Sequence, residues 1–334
     1  MSYAVTPVAE SVWQIMLPNP SAPPPFNAPT NVYLFGGHAP ALVGTGHPHV
    51  QAALDEALAS LGVARRSIRR VVALDWSPDQ LGAAEAFPHA DLFARSPDLC
   101  EPADYAAFAA SERRWLSARV TPLLESERWG ASLDGAELPQ ALDDYLGATL
   151  SRRAEVIPLR GGHTLALGSR RFEVREASGP YPGHIVLTEL GDELMLSGRL
   201  VTDSPWGDPW VRDVSQLILT VEGVFDAARQ ARLLLPTVGR VETDPSWHIR
   251  RVNRHMTSLL SNLPTVLVRS KTAPEVVYRD LGYIPRHPVR FALTASRYQA
   301  YFDELIRTGV VFMHGDGIFA EYTTEAVEER MSRG

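Results

Sequence analysis

A helix, a strand and a polar loop succeed one another between His49 and Gln80, and that succession most narrows the folds open to this chain. Val50, Leu54, Ala57 and Leu61 recur at helical spacing and predict a helix over 49–61. Residues 68–74 read as an apolar strand, which runs out into Asp75-Trp76-Ser77-Pro78-Asp79-Gln80. Strand, helix, strand and loop in this order indicate an α/β fold, and such sheets carry their chemistry on loops at the strand ends.

The rest of the chain extends the pattern. Short strands are expected at 12–17, 32–35 and 41–43, with a proline-rich loop over 18–29. An alanine-rich helical stretch over 103–150, broken at Pro122, Gly130 and Pro139, separates them from further strands at 155–159, 164–167, 171–175, 184–187 and 193–196. Its place between two runs of strands suggests an inserted cap. A helix is expected over 214–233, and Arg232 to Leu235 leads into Pro236-Thr237-Val238-Gly239. Asp244-Pro245 then offers an N-cap and a first-turn proline to a helix carrying Ile249, Val252, Met256, Leu259 and Leu260 on one stripe. The last part reads as helix (272–280), helix (295–308, stopped by Gly309) and a hairpin (310–322) turning at Gly315-Asp316-Gly317, which is the plan of a winged helix.

With 334 residues the chain can form one large domain with an appendage, or two domains. A net charge of −7 gives no electrostatic reason to expect nucleic acid or an anionic membrane as partner. The single cysteine, Cys100, excludes intramolecular disulfides and cysteine-rich zinc modules, and a lone thiol of this kind is expected to pack rather than react. Met1 to Gln14 has neither the basic start nor the apolar run of a signal peptide, and no window reaches the length of a transmembrane helix, so a cytoplasmic location is expected.

Several short segments, in order, resemble the branch of metallo-β-lactamase-fold hydrolases that carries a C-terminal winged helix. Asn19-Pro20 and Thr30-Asn31-Val32-Tyr33-Leu34 are similar to that branch's Asn-Pro-Gly and Thr-Asn-Thr-Tyr-Leu. Leu42-Val43-Gly44-Thr45-Gly46 is similar to Leu-Ile-Asp-Thr-Gly, and Asp75 to Gln80 fall where the family has His-X-His-X-Asp-His. Gly179 to His184 resembles Gly-His-Thr-Pro-Gly-His, Ser197-Gly198-Arg199 resembles Ser/Thr-Gly-Asp, and Pro236-Thr237-Val238-Gly239 resembles Pro-Gly-His-Gly. Each segment alone is a weak signal; their common order and spacing is a strong one. The resemblance implies a four-layer αββα sandwich over 1–262, with a helical insertion at about 101–150 and a winged-helix-like appendage over 263–334.

The resemblance also implies seven metal-binding positions, and this chain keeps one of them. Asp75, Ser77 and Gln80 stand where the family's first motif has histidines, and Asp79 is retained. Pro180, Arg199 and Val238 stand at the later positions. Proline and valine side chains have no donor atom, and a guanidinium keeps its proton. No metal or other cofactor is therefore expected, although Asp75, Asp79 and Gln80 could form a weak oxygen site for a hard cation. Arg199 stands where the family's bridging aspartate would be, so it either pairs with Asp79 (and Asp75) in the old metal position or turns outward to solvent.

Asp75, Ser77, Asp79, Gln80 and Arg199 are the candidate catalytic residues, with Ser77 a nucleophile only if His47, His49 or His184 reaches it as base. Trp76, Tyr181, His47 and His49 are the candidate ligand-binding residues. Trp76 and Tyr181 would either stack on a ligand or fill the space of the lost metals. His38, His47 and His49 could together make a relocated three-nitrogen metal site, the alternative to exposed loop histidines. His184 is read as structural, His163 as solvated, and His248 and His255 as packing on one helix face.

From Lys271 to Gly334 eight Lys/Arg face nine Asp/Glu, and the second appendage helix offers only Arg297 and Arg307 as cations, which argues against nucleic-acid binding. Its apolar face (Tyr301, Phe302, Leu305, Ile306) is expected to pack on the main domain or on a second subunit. The sequence thus points to a metal-independent, hydrolase-like pseudoenzyme that binds a small organic ligand, or to an isomerase-, cyclase- or lyase-type enzyme acting by positioning and proton transfer. The alternatives are an ester, thioester or lactone hydrolase with a relocated metal, and a partner of an active homologue.

Overall fold

Alternation of side chains along the strands produces the layers. The computed structural model describes residues 3–18, 29–96, 105–133, 142, 156–191, 193–201, 211–269 and 271–324. The first sheet holds β1 (Ala4–Ala9), β2 (Val12–Leu17), β3 (Thr30–Phe35), β4 (Ala41–Val43), β5 (Arg70–Val72), β6 (Asp91–Ala94) and β7 (Val156–Pro158), side by side in chain order. It is antiparallel up to β4 and parallel from β4 to β7. The second sheet has the order β12-β11-β10-β9-β8. Its strands are β8 (Thr164–Leu167), β9 (Arg170–Glu176), β10 (Ile185–Glu189), β11 (Leu194–Gly198) and β12 (Leu233–Pro236). Only β11 and β12 run parallel there.

Tyr33 and Phe35 of β3 and Ala41 and Val43 of β4 point into one apolar cluster with Phe172, Val174, Ile185, Leu187, Leu194 and Leu196 of the second sheet. This is the layer between the sheets, and Phe35 meets Phe172 across it edge to face at 5.4 Å. The intervening residues Val32, Leu34 and Leu42, and Val186 and Met195 of the other sheet, belong to the outer cluster with the helices. Ala53, Leu54 and Ala57 of α1 (Gln51–Ser60) join it, as do Leu217, Val221 and Val224 of α4 (Val214–Gln230) and Ile249 and Met256 of α5 (Pro245–Val266). Two-residue periodicity in the strands therefore yields a four-layer αββα arrangement.

Between β6 and β7 the chain enters α3 (Tyr105–Glu125), which runs on through Pro122 instead of breaking there. Proline removes one backbone donor and sits in the last turn, while Leu116, Val120 and Leu123 are buried and hold the helix in place. Cys100, Pro139 and the Asn19-Pro20 motif lie outside the described residues. Likewise α5 continues through Pro264 to Val266, so the boundary anticipated at 262/263 falls inside a helix. Helix α4 stops at Gln230, because Leu233 onward is taken into the sheet beside β11.

The C-terminal elements follow in the anticipated order: α6 (Ala273–Leu281), α7 (Pro288–Arg307), β13 (Val311–His314) and β14 (Glu321–Thr324). Helix α6 begins with a reciprocal cap between Thr272 and Glu275 and ends at Gly282 in the left-handed region. Pro288 starts α7 about two turns earlier than its apolar stripe suggests. Tyr301, Phe302 and Leu305 are buried, and Phe302 stacks on Tyr322 at 4.2 Å. No helix among the described residues is long and apolar enough to cross a membrane.

One backbone position sets where the second sheet delivers its last residue. Gly198 ends β11 at φ +57°, and a Cβ there would overlap Nε2 of His184. Gly198→Ala should therefore destabilise the protein by about 2–4 kcal/mol in chemical denaturation, combining left-handed strain with steric overlap.

Candidate functional site

Three strand ends converge on one buried guanidinium. Beyond β5, the Asp75 carboxylate accepts the Ser77 backbone N–H at 2.8 Å and the Ser77 hydroxyl, a local turn that asparagine and aspartate favour. Pro78 then opens α2 (Pro78–Leu81), which carries Asp79 and Gln80. From the end of β11, Arg199 reaches across. Its Nε donates to Asp75 Oδ2 at 3.1 Å, and its Nη2 donates to the Ser77 hydroxyl at 3.0 Å and to Asp79. Thr30, at the start of β3, donates its hydroxyl to the other Asp79 oxygen at 3.4 Å. The planar fork of arginine suits this threefold engagement better than the point charge of a lysine.

The Arg199 backbone is fixed as well. Its N–H donates to Nε2 of His184 at 2.9 Å, while Nδ1 of His184 lies 2.8 Å from the Ala177 carbonyl. Those two contacts require a neutral imidazole with its proton on Nδ1. Burial drives the His184 pKa down to about 4, and the Arg199 and Arg95 charges push the same way against the Ala177 hydrogen bond. Burial also raises the Asp75 carboxyl, opposed by the Arg199 guanidinium and the Ser77 donors. Every one of these groups is withdrawn from solvent, Asp79 being the most exposed of Asp75, Ser77, Asp79, Gln80 and Arg199 at 6%.

Gln80 belongs to the frame of this centre. Its Oε1 accepts the Leu74 N–H at 3.1 Å, and its carbonyl accepts the N–H and hydroxyl of Thr45 at 3.1 and 3.0 Å. Gly44 makes room for the Gln80 amide, which would lie 3.0 Å from a Cβ at that position. Trp76 is fully buried, gives its indole N–H to the Arg95 carbonyl and packs on Phe108 of α3 at 5.6 Å. Tyr181 lies over the Arg199 guanidinium at 5.8 Å, within cation–π range. Of the two readings for Trp76 and Tyr181, burial favours the filling of internal space.

The structure also brings in residues that carry no family signal. Glu112 of α3 is buried and accepts from the Tyr181 hydroxyl at 3.3 Å and from Arg212 at 2.7 Å. Arg212 lies against the Trp115 ring at 3.5 Å and over Tyr181 at 5.5 Å. The burial of this glutamate goes with the Arg212 and Tyr181 donors that tertiary packing brings to it.

The side chains at the seven positions do not fit a two-metal centre. Pro180 and Val238 supply no donor, and the carboxylates of Asp75 and Asp79 are engaged by Arg199. A cation beside Asp79 would have to displace the guanidinium and then meet a site in which the His184 imidazole has both nitrogens committed. The rings of His47 and His49 lie 4.8 Å apart, with His47 buried and His49 exposed like His38. Among the described residues, no three His, Cys, Asp or Glu side chains form a group that could hold a metal ion, so the three-imidazole alternative is not assembled.

Two outcomes follow from this geometry. Arg199→Ala strands two buried carboxylates and should cost about 3–5 kcal/mol of stability, whereas the combined change of Asp75→Asn, Asp79→Asn and Arg199→Met should recover most of that loss; thermal and denaturant unfolding of both variants checks this. The neutral His184 makes stability depend on pH. Its pKa falls from the ordinary 6.5 to about 4 on folding, so the unfolded chain binds the extra proton between those values. The resulting contribution of about 3 kcal/mol is fully present above pH 6.5 and is lost as pH falls toward 4. The slope of unfolding free energy over that window should be shallower in His184→Asn than in the parent.

Compared by sequence, the chain matches no family model and no curated protein. Compared by structure, it is similar to a metallo-β-lactamase family protein from Thermus thermophilus, with a TM-score of 0.74 at 19% identity over 95% of this chain and 99% of that one. A β-lactamase domain protein from Burkholderia ambifaria gives a TM-score of 0.69 at 17% identity, covering 96% of this chain and 94% of its own. A metallo-β-lactamase from Pontibacter korlensis gives 0.53 at 16% identity, covering 78% of this chain and all of the other (100%). Together with the paired sheets and their outer helices, these likenesses establish that the chain has the metallo-β-lactamase fold.

Proposed function

We propose that this protein is a metal-independent, non-hydrolytic member of its fold that acts by binding a small organic ligand. The observation that carries the proposal is the Arg199 guanidinium seated between Asp75, Ser77 and Asp79. It supplies from within the chain the positive charge that, in the family the sequence resembles, metal ions supply to this set of loops. The same seating leaves the candidate catalytic groups committed. Asp75 and Asp79 are ion-paired, Ser77 bonds to both Asp75 and Arg199, and His184 points one nitrogen at a carbonyl and the other at a backbone N–H. A general base or nucleophile has to reach its substrate, and these groups are buried against one another. Binding is accordingly favoured over catalysis of the isomerase, cyclase or lyase type.

The charges of the C-terminal part agree with a small-molecule rather than a nucleic-acid partner. Arg297 is buried, and Arg307 is paired with Glu304 at 2.6 Å. The metal-independent, non-hydrolytic reading is tested by measuring the transition-metal content of protein purified without chelator, together with turnover of ester, thioester and lactone substrates in added zinc, manganese or iron. Metal far below one ion per chain and hydrolysis at the uncatalysed rate are expected. Near-stoichiometric metal with chelator-sensitive turnover would refute the proposal.

A further inference from the structure

The parallel strands β5 and β6 each begin from a tight turn, and the two turns border an open surface cleft of about 450 Å³. This is the end of the sheet opposite to Asp75–Gln80, which follow β5 at its C-terminal side. The volume falls within the roughly 300–1,000 Å³ of small-molecule pockets. One side of the cleft is apolar, made by Ala64, Ala86, Phe87 and Pro88. Its remaining lining among the described residues is Arg65, Arg66 and His89, with no carboxylate among them.

These three polar side chains are not equivalent. Arg65 is bound to Asp55 through Nε at 2.7 Å and through its second donor, which fixes it as part of the wall. Arg66 and His89 are exposed, and among the described residues neither has an ion pair or a side-chain hydrogen bond. The turns themselves are held. Ser67 N–H donates to the Ala64 carbonyl at 2.8 Å, Ala90 N–H to Phe87 at 3.0 Å and Asp91 N–H to Arg69 at 3.0 Å. Phe87 is anchored in the outer core cluster. A ligand entering here would therefore find a wall already formed, which lowers the ordering cost of binding.

We propose that this cleft binds a small amphiphilic organic anion, with an aromatic carboxylate as the representative chemistry. The flat apolar body lies against Phe87, Pro88 and the two alanines, and the carboxylate is received by the Arg66 fork with His89 as a neighbouring hydrogen-bond donor. Charge complementarity selects the occupant. With Arg65 neutralised by Asp55, the Arg66 guanidinium beside apolar surface, with no acid among the described lining residues, favours an anion over a cation, and an anion with apolar surface over an inorganic one. The cleft shares no residue with the Arg199 centre, so failure of this proposal would leave the reading of that centre untouched, and the reverse also holds.

The test is a backbone NMR titration of the full chain with benzoate, and with benzyl alcohol and inorganic phosphate as controls. Saturable benzoate shifts clustered at 64–68 and 86–90 are expected, with both controls at least about tenfold weaker. Arg66→Glu, an exposed change that spares the core, should weaken benzoate at least about tenfold while leaving shifts elsewhere in the spectrum unchanged. Absence of saturable benzoate shifts at these turns, an unaltered affinity in Arg66→Glu, or phosphate or benzyl alcohol binding as tightly as benzoate would each overturn the proposal.

Discussion

A buried guanidinium facing two carboxylates is the constraint on which this molecule's central architecture rests. Arg199 joins the end of β11 to the loop after β5 and to α2, and through Asp79 it reaches Thr30 at the start of β3. Both sheets are therefore tied at one point. Such a pair is expensive to desolvate, and its value lies less in net stability than in making any arrangement that separates the partners unfavourable. The neutral His184 adds a second tie, because its two ring nitrogens bond the Ala177 carbonyl and the Arg199 backbone at once.

Glycine and small residues give this network its room. Gly198 lets the chain turn under the His184 ring, Gly44 leaves space for the Gln80 amide, and Gly183 accommodates the Trp76 indole. Among the described residues, Asp75, Ser77, Asp79, Gln80, Tyr181 and Arg199 are thus buried against one another. The charges neutralise one another, Tyr181 covers the guanidinium, and Glu112 with Arg212 connects this cover to α3. The same loops that present reactive groups at strand ends in this kind of architecture here hold a closed polar core.

Much of this could be read from residues alone, and the boundary of legibility has physical causes. The continuous apolar runs at Val32–Phe35 and Ile185–Leu187 announce strands buried on both faces, and the collinear short motifs place them in one fold. An arginine at a position otherwise acidic, beside retained Asp79, could be argued into a pair from charge compensation alone. Local reasoning failed where tertiary packing overrides it. Pro122 and Pro264 remain inside helices because each falls near a C-terminal end, and α7 starts at Pro288 although its apolar stripe is densest later. Glu112 and Trp115 could not have been assigned to the site, since only the folded chain brings Arg212 to them. Burial of Trp76 and Tyr181 was likewise undecidable from sequence, where stacking on a ligand and filling of space carry the same aromatic signature.

The central claim is that the chain's own cation occupies the place between Asp75 and Asp79 and yields it to no transition metal. Anomalous diffraction from crystals soaked in excess zinc and manganese examines that claim at the atoms concerned. The account predicts an undisturbed Arg199 fork on Asp75, Ser77 and Asp79 with no anomalous peak beside them. Two water-bridged metal peaks next to Asp79, with the guanidinium swung away, would contradict it.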